Sequence, residues 1–455
     1  MMLAGFCLLL FFSMGIYTLI RIPPELCFLY AVILNAEVMQ VLGYASSIRA
    51  GCIGFSILAV AGLVLFLLRS KKRVDFFTPG ILLLFLLFAA SLVLFRGGFI
   101  HNYDDFHQWA LEVKYMLEHN AMPRPGGLMP IVPMETGLFN VFFQVLCGYN
   151  EGYMHASSFL FTAAALVLPL AGIPWRRWKG ALGYLLLTYL GMFSIYKFPY
   201  KSLYVDLPAA AWAAVLCVWW MTAAKRDRRQ GMFGGILPRL IPVIPILLFI
   251  TRIKWGIGLL LAALTAGYIV IEIFAERMNE SPGVFWRRQW KRIVIVSAVL
   301  IVAFGILWAI LGSSFVPASM SGIAEALTVS SEKARLTLET LLQNLFQKSL
   351  TTHPNMRLYT VHSVILLIVL LLLTAYLGRA VYQKKICRFA AYYPVCVAAY
   401  AAALYVSYVS TFSYEESVRN ATGYRYLSVI VLYGFFVLTG MMLHSFGTER
   451  GLHRS

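Results

Sequence analysis

Asp104 and Asp105 stand side by side after an apolar run, Asp206 comes directly before another, and Arg252 and Lys254 follow a third. These types suit a reaction in which cations clamp a phosphate and a carboxylate takes the proton of an attacking hydroxyl. The same loops hold Glu135, Glu415 and Glu416, with His101, His107, Lys197, Lys201, Arg419 and Arg425 as bases. Asp206 also has a plainer reading. In YVDLPAAAW it sits at a helix N-terminus with Pro208 in the first turn, where the dipole favours a carboxylate. Both roles can hold together. No GxxxxGK[ST] or GxGxxG stretch supplies a nucleotide-phosphate loop.

These residues are carried by a chain of 455 residues, 60% hydrophobic and 13% charged, with a mean hydropathy of +0.76. That composition predicts an all-α polytopic membrane protein and excludes a soluble enzyme. Hydropathy predicts about thirteen spans. They are Leu3–Ile20, Leu26–Tyr44, Gly51–Leu68, Ile81–Phe95, His155–Ile173, Ala181–Phe198, Leu207–Ala224, Ile236–Thr251, Gly256–Phe274, Ile293–Leu311, Val361–Leu377, Ala390–Val409 and Tyr426–Leu443. The net charge of +18 comes largely from short basic loops such as 69–73, 174–180, 224–229 and 383–388. Their alternation is the positive-inside pattern, with attraction to anionic lipid, and nucleic acid is not expected as a partner. It puts the N-terminus outside, the C-terminus inside and the acidic loops on the outer face of the cytoplasmic membrane. A nucleotide donor is not expected there, whereas a group activated on a lipid phosphate is. Seven scattered cysteines form no CxxC pattern, so neither a disulfide framework nor a zinc site is suggested. The N-terminus lacks a basic leader and a small-residue cleavage site, and the first apolar run reads as a retained helix.

The long polar interruption from Arg96 to Glu151 positions the acidic pair. After it, Phe106, Trp109, Ala110, Val113, Met116 and Leu117 recur at helical spacing, with Glu112, Lys114 and Glu118 elsewhere around the helix. That predicts a helix lying in the membrane surface. Pro123, Pro125, Pro130 and Pro133 then forbid regular structure, and the apolar segment Gly137 to Cys147 predicts a second interfacial helix. Pro238, Pro242 and Pro245 predict a broken or tilted eighth span ending near TRIKW. Within 312–359, Leu336, Leu338, Leu341, Leu342, Leu345 and Phe346 suggest an amphipathic helix. Glu37 and Gln40 fall inside the second span, where Glu37 is costly and structural pairing is the favoured reading. Glu272, near the end of the ninth span, reads as interfacial.

The block from about Ile81 to Leu311 resembles the GT-C superfamily of integral-membrane glycosyltransferases, which includes lipid-phosphate-mannose protein mannosyltransferases and the lipid A aminoarabinose transferase. The residues that carry the resemblance are YDDFHQWALEVKYML, ETGLFNVFFQVLCGY, NEGYMHASSFLF, YVDLPAAAW and TRIKWG, in that order. The resemblance implies four regions: a three-span extension over 1–78, a catalytic module over 79–312 with its loop at 96–151, a further loop over 313–358, and a three-span region over 359–455. Asp104 then resembles the catalytic base, and Asp105 stands where that family often has Glu. Asp206 resembles a second acid, and Arg252 or Lys254 the cation that holds the donor phosphate. His107, Lys201, Arg419 and Arg425 join the substrate- and phosphate-binding set. In relatives the acids can also hold a divalent metal, here Asp104 and Asp206, and the sequence leaves this open. The expected partners are a polyprenyl-phosphate-linked sugar, an envelope acceptor and membrane lipids. The competing readings are a transporter or flippase, and a glycan polymerase or ligase.

Overall fold

The computed structural model describes residues 1–70, 73–100, 105–123, 135–196, 203–223, 240–254, 256–277, 320–350 and 358–446. Among these the chain is helical, apart from one isolated antiparallel bridge between Ser349 and Tyr359. The helices are α1 (Met2–Ile20), α2 (Pro24–Ala45), α3 (Ile48–Arg69), α4 (Pro79–Leu94), α5 (Ala110–His119), α6 (Glu135–Cys147), α7 (Glu151–Leu166), α8 (Trp178–Ile195) and α9 (Asp206–Ala223). They continue as α10 (Val243–Ile253), α11 (Ile257–Arg277), α12 (Met320–Thr328), α13 (Glu332–Gln347), α14 (Thr360–Leu377), α15 (Ala380–Thr411), α16 (Tyr414–Val418) and α17 (Gly423–Ser445). Eight of the described helices, α1, α2, α3, α7, α11, α14, α15 and α17, are long and apolar enough to cross a membrane. Helices α4, α9 and α10 are apolar but shorter, and the predicted span Ile293–Leu311 lies outside the described residues.

The chain divides into two compact units. Of the described residues, the first takes those within 1–215 and 252–254, and the second those within 216–251 and 256–446. Residues 1–78 therefore share a unit with the helices that follow them.

In the first unit α1, α2 and α3 pack together, and Gly15 and Gly62 let the backbones of α1 and α3 touch. Phe6 gathers Phe28, Phe85 and Phe88 at centroid separations of 5.4–5.7 Å, tying α1 to α2 and α4. The starts of α2 and α4 meet, since the Thr78 hydroxyl donates to buried Glu25 at 2.5 Å. The turn joining α2 to α3 meets the end of α5, where Asn120 accepts from the backbone of Ile48 and Arg49. The segment after α4 and the last turns of α2 thus share one end of this unit.

Two helices at that end present other faces than the sequence suggests. Helix α6 has no exposed apolar side over its first ten residues: every side chain from Glu135 to Gln144 is buried. Its Phe142 meets Phe55 of α3 and its Phe143 meets Phe88 of α4, so it is wedged among the surrounding helices. The helix opening at the acidic pair begins at Asp105 with a wide π-type turn to Trp109, then continues as α5. It turns Trp109, Val113 and Met116 inward, but also Glu112, while Phe106 and Leu111 are exposed. Glu112 lies against the backbone of α6 at Gly137, where any larger residue would collide with its carboxylate.

In the second unit α14 and α17 pack on α15, and α12, α13 and α16 cover one end. The predicted basic loop 383–388 is instead the first turns of the 32-residue α15. Lys385 is buried and donates to the carbonyl of Met221 at 3.2 Å. Arg388 forks onto Glu272 at 2.6 and 2.8 Å. Glu272 is therefore buried and paired, and Tyr268 adds a third contact at 3.1 Å. Helix α13 is present, but its buried stripe is Ala334, Thr337, Leu341 and Asn344, whereas Leu342 and Phe346 are exposed.

Candidate functional site

Two cations near the end of α10 organise the polar end of the first unit. Helix α10 starts just after Pro242, and Arg252 occupies its last turn with Lys254 immediately beyond. A helix C-terminus favours positive charge, so both residues suit their positions locally. Their partners come from far along the chain.

Lys254 Nζ meets Asp206 Oδ1 at 2.5 Å, with the Asp206 side chain 1% exposed and the Lys254 side chain 13%. Asp206 is in the first turn of α9, so its carboxylate gains both the helix dipole and the ammonium. The segment just before α9 is held in turn, because the Leu203 amide donates to Asp105 Oδ1 at 3.0 Å. Asp105 is fully buried. Asp105, Asp206 and Lys254 are thereby joined through one short stretch of chain.

Arg252 Nη1 donates to Glu37 Oε1 at 2.5 Å, and Nη2 contacts both Gln40 and Glu135. Glu37 and Gln40 are three residues apart on α2, which puts them on one face of that helix. Glu135 is the first residue of α6. One guanidinium therefore serves two carboxylates, and with both ionised the group would carry a surplus negative charge in a buried place. Burial pushes the Glu135 carboxyl up to about 8, with Arg252 pulling it down and Glu37 adding to the rise. Burial therefore favours the protonated form of Glu135 within this group.

The remaining predicted site residues are placed as follows. Asp104 and Lys201 lie outside the described residues, as do His101 and Lys197. His107 is exposed beside the Phe106 ring at 5.3 Å. Arg419 and Arg425 belong to the second unit. Arg419 is exposed at the end of α16, and Arg425 is buried with its guanidinium 4.8 Å from the Tyr426 ring centroid.

The sequence placed Glu37 in an N-terminal extension. In the structure it is a partner of the cation predicted to hold phosphate, 215 positions away. The available signal was the pair Glu37 and Gln40 on one face of an apolar span. Among the described residues no group of three or more His, Cys, Asp or Glu side chains could hold a metal ion. Asp206 turns one oxygen to the Lys254 ammonium, and Asp104, the other acid that the resemblance offers to a metal, lies outside the described residues. Protein-family models, curated proteins and solved structures offer no match to this chain.

Proposed function

We propose that the chain is a membrane glycosyltransferase of the GT-C kind, with about thirteen spans and its site on the outer face of the cytoplasmic membrane. The observation that carries this reading is the gathering of Asp105, Asp206 and Lys254 beside the helix end that also bears Arg252. A transferase using a lipid-phosphate sugar needs cations at the leaving phosphate and an acid–base carboxylate at the acceptor. An acceptor hydroxyl attacks the anomeric carbon, its proton passes to Asp104, and the bond from that carbon to the phosphate oxygen breaks. The displacement inverts the anomeric centre, and polyprenyl phosphate leaves.

The existing ion pairs give the cations a resting state. Lys254 keeps some exposure, and Glu37 is 33% exposed while Glu135 is buried. An arriving phosphate takes the donors that Glu37 and Asp206 hold in its absence. Each well-placed donor is worth about 3 kcal/mol to the developing charge. The test is analysis of envelope glycans from cells with the chain, without it, and with Asp104→Asn. The reading expects the same sugar to be missing in the last two. A full complement of glycan in Asp104→Asn cells rules the assignment out.

One observation favours a second reading. A buried carboxyl, Glu135, whose protonated form burial favours and which contacts a guanidinium, suits the carriage of protons, as in a proton-coupled transporter or flippase. Substrate uptake into vesicles that follows an imposed pH gradient, with no sugar transferred, would support it instead.

A further inference from the structure

In the second unit α13 lies across the ends of other helices and is pinned at both of its own ends. Lys333 Nζ donates to the carbonyls of Val409 and Phe412 at 2.6 and 2.9 Å, at the end of α15. Lys348 Nζ stands 5.8 Å over the Tyr424 ring, at the start of α17. Between these anchors the helix covers about 22 Å. Its neighbours there are α14, α15, α16 and α17.

Buried polar side chains come from α13 and from the elements packed around it. Thr337 and Asn344 point inward from α13, Thr360 and Ser363 come from the first turn of α14, and Asn420 comes from the turn between α16 and α17. All five are more than nine-tenths buried. The hydroxyls of Thr337, Thr360 and Ser363, the amide nitrogen of Asn344 and both side-chain polar atoms of Asn420 have no hydrogen-bond partner among the described residues. Arg425, buried and stacked on Tyr426, adds the one charge of this set. A buried polar group left without a partner loses its hydration and gains nothing back, so native chains rarely keep one, and here five side chains do so on α13 and the elements packed around it.

We propose that the polar layer beneath α13 is a saccharide-binding site. The hydroxyls and carboxamides each donate and accept, as the hydroxyls of a sugar do, and none of the six residues is acidic, which disfavours a cation. A hydrocarbon chain would leave every one of these atoms as it is. Entry requires the Lys348 end of α13 to come away from Tyr424, with the bridge between Ser349 and Tyr359 as its hinge. This inference stands apart from the transferase reading, since the residues that its test changes, Thr337, Asn344 and Thr360, have no part in that reading.

The test uses the whole protein in lipid nanodiscs, titrated calorimetrically with three neutral probes: maltohexaose, cellohexaose and chitohexaose. At least one should bind, and the double variant Thr337→Val, Thr360→Val should weaken that binding tenfold or more. Because valine matches threonine in shape, the unfolding temperature should hold or rise. Where the double variant does not fold, Asn344→Leu is read in the same way. If none of the probes binds, or binding survives the substitutions, the proposal is overturned and the polar layer is a hydrated structural core.

Discussion

The polar end of the first unit and the polar layer beneath α13 in the second are both buried, yet they are built on opposite terms. The first is charged, and its carboxylates are met by guanidinium or ammonium: Arg252 with Glu37 and Glu135, and Lys254 with Asp206. The second is almost wholly neutral, and its hydroxyls and amides lack partners. The difference teaches what each region can give up. Ion pairs formed from the chain's own residues must be broken before a ligand can use them, and breaking one without replacing it is costly. Neutral orphans lose nothing when a ligand arrives.

The largest effect that tests this contrast is expected from Arg252→Ala. It leaves Glu37, Gln40 and Glu135 without the donor that all three share, and unfolding in detergent should show a loss of about 3–5 kcal/mol. Arg252→Lys should recover only part of this, because an ammonium cannot fork between Nη1 and Nη2 partners. A loss within 1 kcal/mol would erase the distinction between the regions. Lys254→Met should come next, costing about 3 kcal/mol through Asp206, and Lys254→Met, Asp206→Leu together should restore most of it.

A smaller effect concerns pH. Burial pushes the folded Glu135 carboxyl up to about 8 from an ordinary value of 4.5. Between those values the unfolded chain has released a proton that the folded chain keeps, so wild-type stability falls as pH rises through this window and levels above it. Glu135→Gln should flatten that slope in thermal unfolding measured across pH 4.5 to 8. An unchanged slope would assign the proton elsewhere. The smallest effect is expected from Lys348→Ala, which removes one cation–π contact worth about 0.5–1 kcal/mol and should raise amide exchange at the end of α13.

The long apolar helices were legible because length and hydrocarbon content suffice to identify them, as for α1, α2, α3 and α17. The start of the helix at the acidic pair was legible too. What the sequence hid was tertiary. Leu138, Phe139, Val141, Phe142 and Phe143 surround α6 on all sides, which marks a helix buried all round. Lys385 read as a loop cation because its partner, a carbonyl on α9, is 164 positions away. On α13 the leucines suggested the buried face, but of them Leu341 alone is fully buried, beside Ala334, Thr337 and Asn344. For the candidate site, the residue types around Arg252 and Lys254 were readable, while their pairing with Glu37, Glu135 and Asp206 needed the fold.

The most direct measurement is release of polyprenyl phosphate from a synthetic polyprenyl-phosphate sugar by the purified chain in liposomes, with an envelope acceptor extract supplied. Wild type should release it and Asp104→Asn should be at least 100-fold slower, the scale of a lost acid–base group. Equal rates for the two, with both proteins intact in the bilayer, would contradict the account.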